Sequence, residues 1–350
     1  MNWKTLFVAA FVCLALACSQ EQTAETQTRN QSSAASSEVV IYTAHDRQFS
    51  EPILQQFTEQ TGIEVKAVYD TEAVKTVGLV NRLIAEKQRP QCDVFWNNEI
   101  VRTIQLKREG VTQPYVSPAA SDVPDELKDP DDHWTGFGTR ARVIAVNTEL
   151  LPNREDWPDS VMDLVDPEWE GNAAFAKPLF GTTSSHAAIM WAQWGEERAM
   201  EFWNQAMDNA VMHAGNAQAR DAAAAGEVAW CLTDTDDANG AIEDGYPVEI
   251  IYPDAAEDQM GVVLIPNTVS LIANGPNQEN GQKLIDFLLS HEVEAQLAQS
   301  RAAQIPVRPG IEPPDALESL EGVKIMPIDW EAVADALVPC QTELIELIGS

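Results

Sequence analysis

The amino-acid sequence predicts an α/β fold, and three observations predict it. Short apolar runs of strand length alternate with amphipathic stretches of helix length from Val39 to Gly110, and the pattern returns downstream. Beyond its N-terminal segments the chain keeps roughly 310 residues, enough for two domains of ordinary size. The apolar runs end in polar clusters, as strands of a parallel sheet do where they meet a ligand crevice.

The elements follow in order. Val39-Val40-Ile41-Tyr42-Thr43 is a buried strand. Ser50 is placed to N-cap a helix that carries Ile53, Leu54 and Phe57 on one face and stops at Gly62. Residues 63–67 alternate like a strand, and a second helix from about Glu72 carries Val77, Val80 and Ile84. Asp93-Val94-Phe95-Trp96 is a third strand, and residues 100–109 form a helix ending at Gly110. Further strands are expected at 143–146, 173–175, 229–232, 263–265 and 269–272. A helix opens at Gly181, and Asn277 is placed to cap an amphipathic helix carrying Leu284, Ile285, Phe287 and Leu288. Residues 122–132 are acidic and proline-punctuated, as a surface loop would be.

The N-terminus reads as a leader. Residues 1–17 carry one basic residue, Lys4, and then an apolar run from Leu6 to Ala17. That run is about half the length a membrane-spanning helix needs, so it fits the apolar region of a signal peptide. Ala15-Leu16-Ala17-Cys18 resembles a bacterial lipobox, with the mature chain starting at a lipidated Cys18. Residues 18–37, polar and without an aromatic side chain, read as a flexible tether.

The formal net charge of −33 excludes a nucleic-acid partner, because phosphate backbones attract the opposite sign. With Cys18 lipidated, Cys92, Cys231 and Cys340 remain, enough for one disulfide at most, and no C-x-x-C pair suggests zinc. No G-x-S-x-G elbow and no H-E-x-x-H helix points to a hydrolase, so an enzyme is not expected.

Several segments together resemble the family-1 extracellular solute-binding proteins of ABC transporters, in the branch containing the ferric-ion-binding proteins. They are Val40-Ile41-Tyr42-Thr43, residues 57–65, Cys92-Asp93-Val94-Phe95-Trp96, residues 142–148, residues 160–167 with Trp169, Ala225-Gly226-Glu227-Val228, Ile265-Pro266-Asn267-Thr268 and residues 284–292. The resemblance implies a two-lobed periplasmic-binding-protein (type II) fold, with crossing β-strands as hinge and the ligand between the lobes. Approximate boundaries put 38–138 and 258–312 in lobe 1, and 139–257 and 313–350 in lobe 2. The resemblance also implies a permease and ATPase as partners, a monomeric lipid-anchored protein on the periplasmic side, and iron as cargo.

Ferric-binding members use a histidine after the first strand, an acidic residue after the third and a tyrosine pair from the second lobe. Here those places fall at Asp46 beside His45, at Asn98 beside Glu99, and at Asp236-Asp237 preceded by Asp234. Carboxylates thus stand where phenolates are expected. The set remains a hard-oxygen constellation suited to Mg²⁺, Ca²⁺, Mn²⁺ or iron. The same acids also suit a helix N-cap. Thr182, Thr183, Ser184 and Ser185 open a helix whose N–H groups suit an anion, and the family holds a synergistic anion there, with Asn216 as a further contact. Trp96 and Trp230 are candidate walls for an organic cation. Two cargoes therefore stand open: a hard metal ion with its anion, or a small organic solute such as an organic cation, a thiamine-like compound or a phosphorylated compound.

Overall fold

The computed structural model describes residues 37–70, 76–315 and 317–349. Cys18, the leader and nearly all of the tether lie outside the described residues, as does Glu72.

In the first lobe the predicted alternation is realised. Strand β1 (Glu38–Thr43) is followed by α1 (Arg47–Thr61), β2 (Glu64–Tyr69), α2 (Val77–Glu86), β3 (Val94–Asn97), α3 (Val101–Arg108) and β4 (Thr112–Gln113). β1 pairs in parallel with β2 and with β3. Helix α1 closes at Gly62 in the left-handed conformation, as expected. Its start is corrected. Asp46 is the N-cap, and Ser50 sits one turn inside, its hydroxyl donating to the carbonyls of His45 and Asp46.

A single strand, β5 (Thr135–Asn147), then runs between the lobes. All 13 of its residues are buried. Residues Thr135 to Ala141 pair antiparallel with β10 (Leu264–Ile272), which itself lies against β3. From Arg142 onward β5 pairs instead with β8 (Trp230–Asp234) and β9 (Val248–Ile251). The strand expected at 143–146 is thus the second half of a longer crossing element. The runs 263–265 and 269–272 are likewise one strand, β10, with a register shift at Pro266/Asn267.

The second lobe repeats the parallel arrangement. β6 (Ala173–Ala176) lies parallel to β8 and to β7 (Val211–His213). Helices α4 (Gly181–Trp194), α5 (Glu196–Asn209), α6 (Asn216–Ala224) and α7 (Thr235–Glu243) surround it. Helices α8 (Gln278–Leu288) and α9 (His291–Gln299) belong to the first lobe, where Leu284, Ile285 and Leu288 enter the core. Asn277 is the N-cap residue of α8, as expected, but its side chain makes no cap hydrogen bond; its amide donates to Asp93 Oδ2 instead.

The last helix, α10 (Trp330–Gly349), seals a core that draws on both lobes: Ile100, Val101 and Ile104 from one, Ala188 and Ile189 from the other, with Val333 and Leu337 between them. Cys92, Cys231 and Cys340 are buried, separate thiols, so no disulfide links them. Among the described residues no helix is long and apolar enough to cross a membrane.

Candidate ligand-binding site

The strands deliver the site. β1, β3, β6 and β8 end at one cleft, so Asp46, Asn98, Lys177 and Asp236 each follow a strand end by a few residues. A cavity of about 20 Å³ lies there, lined by Asn98, Arg140, Lys177, Thr182, Asn216 and the three acids Asp234, Asp236 and Asp237. An adjoining opening adds Asp46, Arg220 and Arg301 to Asp236 and Asp237.

Asp234, Asp236 and Asp237 each present a carboxylate oxygen, all within 4.8 Å of one another. Asp234 is the backbone N-cap of α7 but its side chain makes no cap hydrogen bond. It is an internal counter-ion: Arg142 Nη1 lies 2.6 Å from Oδ1, Asn216 Nδ2 donates to Oδ2 at 2.9 Å, and Thr182 also donates to Oδ2. Asp236 lies 3.3 Å from Arg140 Nη1. Asp236 and Asp237 occupy the first turn of α7, where negative charge suits the helix dipole. Asp237 Oδ2 accepts from Thr233, and Arg220 donates to the Asp237 carbonyl.

The other sequence candidates divide. Asn98 lines the cavity and accepts from Thr76 at 2.8 Å. Thr182 and Thr183 line it as well, with Thr183 donating to Asn216 Oδ1 at 2.9 Å. Ser184 and Ser185 do not; they face the other way, toward Gln341 and Glu99. Glu99 is withdrawn from the acidic cluster. It caps α3, accepting from the Val101 and Arg102 amides, and takes the Ser185 hydroxyl at 2.9 Å. Burial pushes its carboxyl above the usual range. His45 is buried behind the cavity, stacked on Trp96 at 4.9 Å, with its Nδ1 3.2 Å from Arg140 Nη2.

Trp96 and Trp230 are 0% exposed and packed in the lobe cores, so neither offers a face to an organic cation. A strand that is buried on both faces turns its aromatic side chains inward, and both tryptophans sit on such strands.

Sequence reasoning missed the cations. Arg140 and Arg142 are both nearly inaccessible, two residues apart on β5 and therefore on one face. Their signal was legible: two arginines in an otherwise apolar buried strand must find acids, and Asp234-x-Asp236 repeats the same spacing. The register confirms the match, because Arg142 lies opposite Asp234. Lys177, after β6, gave no comparable signal.

Comparison with known proteins agrees with this architecture. A model of the bacterial extracellular solute-binding proteins matches residues 102–336. The iron uptake protein A1 of Synechocystis is 26% identical over 315 residues, covering 86% of this chain and 84% of that protein. A Salmonella typhimurium protein named, provisionally, as a 2-aminoethylphosphonate-binding periplasmic protein is 25% identical over 295 residues, covering 80% of this chain and 82% of its own. Iron-bound HitA from Pseudomonas aeruginosa superposes with a TM-score of 0.79 at 21% identity, over 88% of this chain and 99% of that one. With two lobes, a crossing strand and a polar cleft at the strand ends, the chain belongs to the bacterial extracellular solute-binding proteins.

Proposed function

We propose that this protein captures a hard metal cation together with a small anion and hands it to the permease and ATPase of an ABC importer, without chemistry on the cargo. Iron is the first candidate, since relatives are named for it. The anchor proposed at Cys18 would hold the protein on the periplasmic side of the membrane.

The carrying observation is the carboxylate cluster of Asp234, Asp236 and Asp237 at the cavity wall. Like charges this close are unfavourable unless neutralised. Arg140 and Arg142 pair with two of the carboxylates, and Asp237 and the nearby Asp46 extend the acidic wall toward the adjoining opening, which Arg220 and Arg301 also line. Oxygen donors suit a hard metal ion. The cavity beside the acids is small, about 20 Å³, room for a bare ion or a water, and it adjoins a more open space of about 200 Å³.

The test is elemental analysis of protein purified without chelator. About one equivalent of iron should survive dialysis, and Asp237→Asn should weaken metal binding on the order of tenfold or more, as loss of one charged ligand does. A metal-free protein whose melting temperature ignores Fe³⁺, Mn²⁺ and Ca²⁺ would overturn the proposal. In that case a second reading gains, and Lys177 favours it. Together with the N-termini of α4 and α6 it brings positive potential to the cavity wall beside the acids. A cargo with an ammonium and a phosphonate group would use both kinds of charge, and a relative carries the name of such a ligand.

A further inference from the structure

The first turn of α4 faces two ways. Thr182 and Thr183 border the cavity, whereas Ser184 and Ser185 are nearly inaccessible and turn away from it. Ser185 donates to Glu99 Oε2 at 2.9 Å. Glu99 stands just before α3 in the first lobe and is 1% exposed. Its carboxylate also accepts from the Val101 and Arg102 amides and, at 3.2 Å, from Asn97 Nδ2. A second bridge runs through α10. The second lobe holds Gln341 Nε2, which donates to Ser184 Oγ at 2.8 Å and to the Leu179 carbonyl at 3.1 Å. Its Oε1 accepts from Arg102 Nη2, which belongs to the first lobe.

These polar groups close tightly: the gap bordered by Glu99, Arg102, Ser184 and Ser185 has no room for a water molecule. An apolar seam continues the contact. Ile100, Val101 and Ile104 of α3 share one core with Ala188 and Ile189 of α4 and Leu337 of α10, each at most 2% exposed. All of these contacts join protein groups to one another and lie outside the cavity, so making them takes no cargo. Parting the lobes along this line returns apolar side chains to water, an unfavourable transfer. It also gives up two hydrogen bonds to charged groups, Ser185 to Glu99 and Arg102 to Gln341, and such bonds outweigh neutral ones.

We propose that Ser185 and Gln341 are positioning residues that latch the two lobes shut beside the cavity, so that the protein without cargo rests closed and cargo enters when the latch opens. The latch is independent of which cargo is carried, so it stands or falls apart from the metal-capture reading.

The experiment is small-angle X-ray scattering of the full mature protein after exhaustive dialysis against a chelator, with native mass spectrometry to establish that no cargo remains. Ser185→Ala and Gln341→Ala should each shift the closing equilibrium toward the open form on the order of tenfold, the scale of one hydrogen bond to a charged group. The double variant should therefore show a larger radius of gyration than the wild type, with an unchanged circular dichroism spectrum. A general loss of structure would change the spectrum as well. Ser185→Thr keeps the hydroxyl and should stay as compact as the wild type. Equal radii for the wild type and the folded double variant overturn the proposal. An expanded Ser185→Thr overturns it too, because packing rather than the hydrogen bond would then hold the lobes. Gln341 is only half-buried, so Gln341→Ala alone still tests the latch if the substitutions at Ser185 fail to fold.

Discussion

Arg142 shows how a single buried residue organises its surroundings. Its Nη1 serves Asp234, Thr182 and Asn216, and its charge reaches His186 on α4. Burial first, and Arg142 second, push the His186 pKa down to about 3. The imidazole is thus neutral in the folded protein at pH values where the unfolded chain protonates it. The unfolded state then binds the extra proton between the ordinary histidine pKa and about 3, so stability rises with pH across that window and falls on acidification. The slope is about 1.4 kcal/mol per pH unit from this one group. Between pH 6.5 and 4.5 the wild type should therefore lose about 2 kcal/mol more than His186→Gln. Urea melts of both proteins at the two pH values check this, and equal losses would clear His186 of the effect. At this scale the sequence grouped the acids and left the partners of the bases to the fold. Asp234, Asp236 and Asp237 stand together in sequence, whereas Arg140 and Arg142 become their partners only across the β5–β8 ladder.

Elements were legible where their period is local. The helical spacing of Ile53, Leu54 and Phe57, and the strand-helix alternation through β3, came through with small errors at the ends. Longer strands were misjudged because pairing defines a strand's length, and pairing is not local. β5 continues through residues whose partners change midway, and β10 continues through Pro266 across a register shift. The segment just before β10 shows the same dependence on distant chain. Gly261 has φ +105°, and a Cβ there would lie 2.6 Å from the Met326 nitrogen and 2.9 Å from the Ile325 carbonyl carbon. Both are backbone atoms, and Val262 bridges Ile325 beside them. Gly261→Ala should cost about 2–4 kcal/mol, combining a disallowed φ with a clash that side-chain movement cannot relieve. Chemical denaturation measures it, and a loss below about 0.5 kcal/mol would show that the two segments part easily.

The whole molecule joins an acidic body to a proposed membrane anchor. The chain carries a net charge of −33, so it gains no electrostatic attraction to an anionic lipid surface. Membrane association would then depend on the lipid at Cys18 alone, and Cys18→Ala should move the protein from the membrane fraction to the soluble one. Continued sedimentation with membranes, detected by immunoblot, would refute the anchor. Across the body, α10 packs between the lobes, and Ser185 of α4 donates to Glu99 at the head of α3. These contacts span the lobes and lie outside the cavity.

The sequence by itself determined the α/β class, the order of most elements, the acidic character and the three acids after β8, because period, composition and neighbouring residues are local properties. Tertiary structure decided the rest. It withdrew Glu99 to cap a helix, turned Ser184 and Ser185 away, buried Trp96 and Trp230, and set Arg140 and Arg142 on the acids. The physical reason is that a buried charge or ring takes the role its spatial neighbours assign. Those neighbours come from strands as far apart in the chain as β1, β5, β8 and β10.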